Sequence, residues 1–180
     1  MKHLRLTEQR LALVNSVVGR IATDLVARIR ELTVAINALE SELDERTRTS
    51  AANLRDIHGV AGVSAAKLIG EVAGIERFRS RHAFARHNGT APTPVWSGNS
   101  ERHRLSRAGN RQLNAAVHRM ALTQARSNPP ARAYLERRQK AGATRKEAIR
   151  SLKRRLSDVI YRAMLTDAAA ANITAANVAA

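Results

Sequence analysis

Apolar residues recur every three or four positions along the first quarter of the chain. The series runs Leu11, Val14, Val18, Ile21, Leu25, Ile29, Leu32, Ile36, Leu39 and Leu43. Because a helix completes a turn in about 3.6 residues, this spacing places the series on one face, as in a coiled coil with one stutter near Leu25. The pattern predicts a long helix over residues 7–43 that pairs with a second copy of the chain. A long helix packed within the same chain is the alternative.

Shorter helical patterns follow, separated by glycines and prolines. The last one opens with a capping box from Thr144 to Glu147. Its apolar residues keep helical spacing: Ala148, Ile149, Leu152, Leu156, Val159, Ile160 and Met164. No stretch shows a convincing strand pattern. We therefore predict an all-α fold, with residues 1–54 as a coiled-coil helix and linker, residues 55–165 as a compact helical domain and residues 166–180 as a disordered tail.

The helical domain begins with two glycines between short helical stretches, in DIHGVAGVSAAKLI. This run resembles a helix-hairpin-helix element, in which small residues let backbone N–H groups at a helix start approach a phosphate. Gly59, Gly62 and Lys67 are the predicted phosphate contacts. Ala61 stands where that motif usually has its second glycine, and Gly62 stands where it often has proline. A purely structural corner between two helices is therefore the alternative.

Positive charge is concentrated in the last two-thirds of the chain. The net charge is +16, yet residues 1–56 contain nine basic and eight acidic residues. Residues 57–125 contain ten basic against three acidic residues, and residues 126–162 contain twelve against three. Such an excess is typical of polyanion binding, so DNA or RNA is the predicted partner. Lys153 and Arg154 on the last helix are predicted contacts, although a solvated helix face explains the same run.

The composition excludes several other kinds of site. The chain has no cysteine, which excludes disulfides and thiolate metal sites. Its six histidines include no pair at ligand spacing, so no metal site is predicted. The first residues lack a signal sequence, and no stretch reaches the roughly 18 apolar residues of a membrane span. We expect no membrane contact and a bacterial cytoplasmic location, at the nucleoid when the chain is bound.

The candidate chemistry lies in residues 89–110, GTAPTPVWSGNSERHRLSRAGN. Its prolines and glycines predict a stiff loop. A serine in this loop is followed by arginines, and a hydroxyl among guanidinium groups can attack a phosphodiester while the cations offset the charge of the transition state. Ser97 is the predicted nucleophile, and Ser100 and Ser106 are rival hydroxyls. The predicted phosphate-binding cations are Arg102, Arg104, Arg107 and Arg111. A structural serine turn between two helices is the alternative.

Three longer runs resemble one family in register: IHGVAGVSAAKLIGEVAGIERFRS, ARHNGTAPTPVWSGNSERHRLSRAGNRQLNAAVHRMALTQ and AYLERRQKAGATRKEAIRSLKRRLSDVIY. They resemble the C-terminal transposase domain of the bridge-RNA-guided insertion-sequence recombinases, which include the Piv/MooV DNA invertases. The likeness spans about residues 55–165, and the family places coiled-coil helices before this domain. It implies DNA strand exchange by a serine nucleophile, guided by a structured RNA and performed in a protein assembly.

Two departures from the family affect these expectations. The family usually has Ser-Ser-Gly after its proline turn, whereas this chain has Trp96-Ser97-Gly98. If the first serine reacts in relatives, Trp96 abolishes the chemistry. Family members also begin with an RNase-H-like domain whose four acidic residues bind magnesium, and the residues before 55 do not resemble it. The resemblance thus implies no cofactor within this chain, with Mg²⁺ expected only on such a domain, so the chain resembles a truncated copy, a fragment or one half of a split gene.

These observations leave three hypotheses. In the first, the chain is the catalytic part of a transposase and needs a magnesium-binding domain in trans. In the second, it is a non-catalytic module for nucleic-acid binding and oligomerisation, a remnant of a transposase. In the third, it is a helical adaptor for an acidic protein. The dependence of nucleic-acid affinity on salt separates the third hypothesis from the other two.

Overall fold

Helices make up most of the structure, which is a computed structural model. It describes residues 5–7, 11, 16–97, 100–105 and 108–179. At residues 95–97, 100–105, 178 and 179 it describes the backbone alone. The elements are α1 (Val17–Ser50), α2 (Ala52–Arg55), α3 (Gly62–Val72), α4 (Arg81–His87), β1 (Pro92–Ser97), β2 (Ser100–Leu105), α5 (Arg111–Ser127), α6 (Pro129–Lys140) and α7 (Arg145–Ala179). The all-α fold class is confirmed, with one small hairpin in addition. None of the described helices combines the length and the apolar character that a membrane span needs.

The chain divides into two compact units, Met1–Leu43 and Asp44–Ala180. The long helix predicted for residues 7–43 is confirmed from Val17 onward, and it continues to Ser50, beyond the last residue of the first unit. Residues 8–10 and 12–15 lie outside the described part of the chain. The apolar series is exposed to solvent: Val18 is 75% exposed, and Leu25 and Leu39 are each 59% exposed. Pairing of this face with a second copy stays a prediction.

The core of the second unit forms around α5, which packs against α3, α6 and α7. Helix α7 also packs against α2 and α4. The largest fully buried apolar side chains are Phe84, Leu54, Leu68, Leu113, Met120, Ile160, Val72 and Val117. Burying each such side chain stabilises the fold by about 1.5–3 kcal/mol. The apolar stripe predicted for the last helix, α7, is confirmed as buried, except that Val159 is 37% exposed.

Side chains cap the starts of α4 and α7. The Ser80 hydroxyl accepts a hydrogen bond of 3.2 Å from the Ala83 N–H and caps α4. At α7, the Glu147 carboxylate accepts from the Thr144 N–H at 2.8 Å, and the Thr144 hydroxyl accepts from the Glu147 N–H at 3.3 Å. This reciprocal pair is the capping box expected from the sequence.

The stretch predicted as a loop is instead an antiparallel β-hairpin. Strands β1 and β2 pair from Pro92 opposite Leu105 to Ser97 opposite Ser100. The prolines fit because the sheet has only two strands, so each strand has an edge on which no N–H is needed. A sequence signal for this hairpin exists, because the two residues between Ser97 and Ser100 are Gly-Asn, a common hairpin dipeptide.

The predicted disordered tail also differs, because α7 continues without a break to Ala179. Residues 168–171 are alanines, the residue with the highest helix propensity. The helix is further held at Asp167, whose carboxylate accepts from the N–H groups of Asn53 at 2.9 Å and Leu54 at 3.0 Å. Asp167 therefore caps the start of α2, where the N-cap residue Ala51 has no side-chain acceptor.

The cap from Asp167 gives the first testable prediction. Asp167→Ala should lower the free energy of unfolding by about 1–2 kcal/mol, because two N–H groups of α2 lose their acceptor. Asp167→Asn keeps one acceptor oxygen, so it should lower the free energy of unfolding by less than half as much. Urea denaturation followed by circular dichroism measures both variants. Equal stability of Asp167→Ala and the wild type would contradict the capping role.

Candidate functional site at the hairpin

Ser97, the predicted nucleophile, is the last residue of β1 and pairs with Ser100. On β2, Arg102 stands opposite Val95, and Arg104 stands opposite position 93. Since alternate positions of a strand belong to the same face, positions 97, 102 and 104 share one face of the ladder. The side chains at these three positions, and all of Arg107, lie outside the described part of the structure. The cluster of cations around Ser97 therefore stays a prediction.

The hairpin base, residues 88–91 and 108–110, is fixed to the helical core by hydrogen bonds. Asn88 is fully buried, and its amide donates to the Ser157 hydroxyl of α7 at 2.8 Å. Its side-chain oxygen accepts from the N–H and the hydroxyl of Thr90, at 3.1 and 2.7 Å. The N–H groups of Thr90 and Ala91 both donate to the Ala85 carbonyl of α4. The chain thus enters β1 from a rigid support.

The other side of the hairpin base is fixed through Gly109 and Asn110. The Asn110 N–H donates to the His87 carbonyl at 2.6 Å, and its side-chain oxygen caps α5 by accepting from two backbone N–H groups. Its amide donates to Glu71 at 2.6 Å. Gly109 has φ +104°, and a Cβ there would lie 2.5 Å from the His87 carbonyl oxygen. Only glycine fits this close approach without a shift of the backbone.

A basic cleft lies between α5 and α7, next to the hairpin base. Its volume is about 1050 Å³, and its lining includes Gly89 and Ala108 of the hairpin base. Five cations line it: Arg111, Arg145, Lys146, Arg150 and Lys153. No aspartate or glutamate is among the described residues of its lining. The cleft is therefore a concave surface with a uniformly positive set of side chains.

Lys153 is the innermost cation of the basic cleft, with only 6% of its surface exposed. Its ammonium donates to the Asn114 side-chain oxygen at 2.7 Å, and the Asn114 amide donates to the Asn88 carbonyl at 2.9 Å. Burial lowers the pKa of Lys153 below its ordinary value. Burial lowers the pKa of His118, and the charge of Lys153 lowers it further, so this lining residue is neutral near pH 7.

The hydrogen bonds from Lys153 to Asn114 and from Asn114 to Asn88 link the cleft to the hairpin base.

Arg154 lies on another side of α7, although we predicted it together with Lys153. Adjacent helical residues differ by about 100° in direction. Arg154 forms an ion pair with Asp158, and its second nitrogen lies 3.1 Å from the His82 ring nitrogen of α4. The guanidinium of Arg154 is therefore committed to contacts within the fold, whereas Lys153 faces the basic cleft.

The glycines of the predicted helix-hairpin-helix element pack against other helices. A Cβ at Gly62 would lie 2.6 Å from the Cα of Asp44, and Gly59, with φ +86°, is close to Thr123 of α5. Lys67 donates to the Gln112 side-chain oxygen at 2.6 Å. The close approach at Gly62 favours the structural corner that we kept as the alternative. Phosphate contact by Gly59, Gly62 and Lys67 stays a prediction.

The described residues offer no group of three or more His, Asp or Glu side chains that could hold a metal ion. They therefore do not fit the four-carboxylate magnesium site that the family resemblance implies for an RNase-H-like domain.

Comparison with known families shows what this part of the chain is similar to. The family model described as "Transposase IS116/IS110/IS902 family" matches residues 51–136, which run from the start of α2 into α6. Residues 51–136 are similar to this transposase domain. The matched segment, residues 51–136, contains the hairpin, the hairpin base and α5, whereas α7 lies outside the match. The resemblance to insertion-sequence transposases is thereby confirmed at this level, and the serine chemistry and the guide RNA stay predictions.

A curated relative gives the same result. The chain is 33% identical over 115 residues to the insertion element IS110 uncharacterized 43.6 kDa protein of Streptomyces coelicolor. The aligned region covers 63% of this chain and 28% of that protein. The aligned region therefore spans less than a third of the relative's length.

Lys146 and Arg150 of the basic cleft belong to the basic run on the last helix that nucleic-acid contact or a solvated face would explain, but only Lys153 and Arg154 of that run were named as predicted contacts. On α7, Lys146, Arg150 and Lys153 are spaced i, i+4 and i+7, which places them on one face of the helix. This periodic spacing of cations was the available signal. Asn88 and Asn114 had no such signal, because their role depends on contacts between residues distant in sequence.

Proposed function

We propose that the chain is the DNA-binding, serine-bearing part of an insertion-sequence transposase. This proposal rests on the hairpin within residues 51–136, the segment that matches the transposase family model. The hairpin base is hydrogen-bonded to α4 and α5. A nucleophile on a rigidly held hairpin is positioned with little loss of entropy during reaction. The matched relative is the product of an insertion element, which supports DNA as the partner.

In this proposal, the Ser97 hydroxyl attacks the phosphorus of a DNA phosphodiester. A bond forms between the serine oxygen and phosphorus, and the bond from phosphorus to one deoxyribose oxygen breaks. The hydroxyl proton leaves to a base, and the departing oxygen takes up a proton. The phosphoserine keeps the ester linkage, so the hydroxyl of another strand can reverse the step without a high-energy cofactor. Arg102, Arg104, Arg107 and Arg111 would offset the negative charge of the transition state.

The proposal also requires partners. Magnesium chemistry would come from the carboxylates of an RNase-H-like domain supplied in trans. A structured guide RNA is a further proposed partner, since the family resemblance implies it. The strongly basic second unit suits both DNA and RNA.

We further propose that two copies of the chain pair through α1. The exposed apolar series has coiled-coil spacing over several turns, and an unpaired face of this length is unfavourable in water. Leu32→Glu should therefore convert a dimer into a monomer, because it buries a charge in the seam. Val34→Glu is the matched control, since Val34 is 56% exposed and lies two residues away, off the seam. Sedimentation equilibrium at micromolar concentration measures both variants, and a wild type that is already monomeric would contradict the pairing.

A covalent-adduct assay tests the catalytic proposal. The chain is mixed with an intact relative of the IS116/IS110/IS902 family whose own candidate serine is replaced by alanine, together with end-labelled insertion-element DNA. A labelled adduct with the mass of this chain, stable in denaturing gels, is expected. If the chain binds the DNA but forms no adduct, the result would support the alternative function.

The alternative function is a non-catalytic module for nucleic-acid binding and oligomerisation. One observation favours it, namely that Trp96 occupies the position of the first serine in the family's Ser-Ser-Gly motif. In that case the chain would compete with intact transposase for DNA without reacting.

A further inference from the structure

The basic cleft contains a buried cation without a partner of opposite charge. Lys153 has three N–H donors, and one of them goes to the neutral Asn114 side chain at 2.7 Å. None of the salt bridges between described residues includes Lys153. A buried charge without a counter-ion is costly, and an anion that enters the cleft would remove that cost. The structure of the cleft therefore favours an anionic ligand.

We propose that the basic cleft binds consecutive backbone phosphates of the nucleic acid, with Lys153 as the inner contact and the arginines of α5 and α7 beside it. This inference rests on the proposed function, because it assumes that the chain binds DNA or RNA. It adds the location of the contact, which is a groove on the helical core at the hairpin base.

The dimensions of the cleft suit a phosphate backbone. Cationic positions on α7 extend from Lys146 to Lys153, and seven residues of helix span about 10 Å. Phosphates of one strand of duplex DNA repeat about every 3.4 Å along the axis and lie farther apart along the winding strand itself, so this length covers about two of them. Across the cleft, Arg111 of α5 supplies a further cation, whereas the Asn114 amide already donates to the Asn88 carbonyl. Cations on both sides of the cleft can therefore hold one strand.

The small residues of the cleft allow a close approach. Gly89, Ala108 and Gly109 are three of the four lining residues that belong to the hairpin base. Because they carry little or no side chain, a sugar-phosphate backbone can reach the row of cations beside them. Ser97 is eight residues from Gly89, and an extended chain of that length spans at most about 27 Å. The cleft thus binds phosphates near the hairpin and positions the strand that Ser97 would attack.

An acidic protein segment is the competing ligand, and the structure favours nucleic acid over it. Much of the exposed surface of the lining is apolar, but its described residues include no Phe, Tyr or Trp, and its one large exposed apolar side chain is Leu122, which is 47% exposed. Arginine forms bidentate contacts with phosphate oxygens, and the lining includes three arginines. Protein interfaces of comparable strength instead place aromatic and apolar residues at their centre.

A pair of matched double variants tests the proposal. Arg111→Gln with Arg150→Gln removes two charges from the cleft, and Arg132→Gln with Arg138→Gln removes two charges from α6, outside the cleft. The probe is a fluorescein-labelled DNA of about 30 nucleotides, as a duplex and as a single strand, and affinity is measured by anisotropy at several salt concentrations. The full chain is used in each case.

The cleft double variant should raise the Kd at least about tenfold near 0.1 M salt and reduce the log-log salt slope by nearly two, since each duplex phosphate contact contributes about 0.9. The α6 double variant should change the Kd less than about threefold. Equal effects of the two double variants would overturn the cleft proposal and leave the proposed function intact. A wild-type chain with no salt-dependent affinity for either DNA would instead overturn the proposed function. If poly-aspartate with the same number of charges as the DNA bound with the same affinity, nucleic acid would not be the preferred ligand of the cleft.

Discussion

Ser97→Ala is expected to abolish the covalent DNA adduct while DNA affinity stays within about twofold of the wild type. The hydroxyl supplies the bond to phosphorus, and loss of a nucleophile costs about 1000-fold or more in rate. Serine is uncharged, so its loss releases no counterion and should leave the salt dependence of binding unchanged. End-labelled DNA on denaturing gels measures the adduct, and anisotropy measures the affinity of the same preparations.

Three neighbouring variants serve as controls for this assignment. Ser100→Ala and Ser106→Ala should keep the adduct, because they remove rival hydroxyls and leave Ser97. Trp96→Ser restores the first serine of the family motif. An adduct that survives Ser97→Ala, or one that forms only with Trp96→Ser, would show that Ser97 is not the nucleophile. The second of these results would support the non-catalytic module as the natural state of the chain.

The helical core was predictable from the sequence because its signals are local. The apolar spacing of α5, through Leu113, Val117 and Met120, identifies the buried face directly, and all three side chains are buried. The caps at Ser80 and at Thr144 depend on residues three positions apart. The periodicity of apolar residues therefore predicts which face of a helix is buried, and the capping residues predict where the helix begins.

The hairpin was missed for a physical reason. Residues 92–105 contain prolines, serines and arginines, which do not give the apolar alternation of a half-buried strand. The main contacts of each strand are with the other strand, so the apolar alternation of a sheet that packs on a second layer is not required. The decisive information was the Gly-Asn pair between Ser97 and Ser100, together with the extended geometry that the prolines favour.

The basic cleft could be predicted only in part. Its α7 row follows from the spacing of Lys146, Arg150 and Lys153, but the burial of Lys153 depends on α5. The extension of α7 depends similarly on Asp167, which contacts Asn53 across more than a hundred residues of sequence. Contacts between distant residues of this kind leave no periodic trace, so sequence reasoning grouped Lys153 with Arg154 and ended the helix too early.

Gly109→Ala is expected to lower the free energy of unfolding by about 2–4 kcal/mol, the largest loss that we expect from a single methyl group. At φ +104° an L side chain is strained, and the new Cβ would lie 2.5 and 2.9 Å from the carbonyl oxygens of His87 and Arg86. Relief of this contact must separate the hairpin base from α4 and break the 2.6 Å hydrogen bond from Asn110 to His87. Urea denaturation measures the loss of stability.

Gly70→Ala is the matched control, because it adds the same methyl group within α3, where nothing lies within 4 Å of the new Cβ. Alanine is favoured over glycine inside a helix, so this variant should gain about 0.5–1 kcal/mol. If the free energy of unfolding falls for Gly109→Ala and rises for Gly70→Ala, the close backbone approach at Gly109 causes the loss of stability, rather than the replacement of a glycine as such. Because the strained base carries the hairpin, Gly109→Ala should also reduce adduct formation by more than its DNA affinity falls, and equal losses of both would contradict a positioning role for the base.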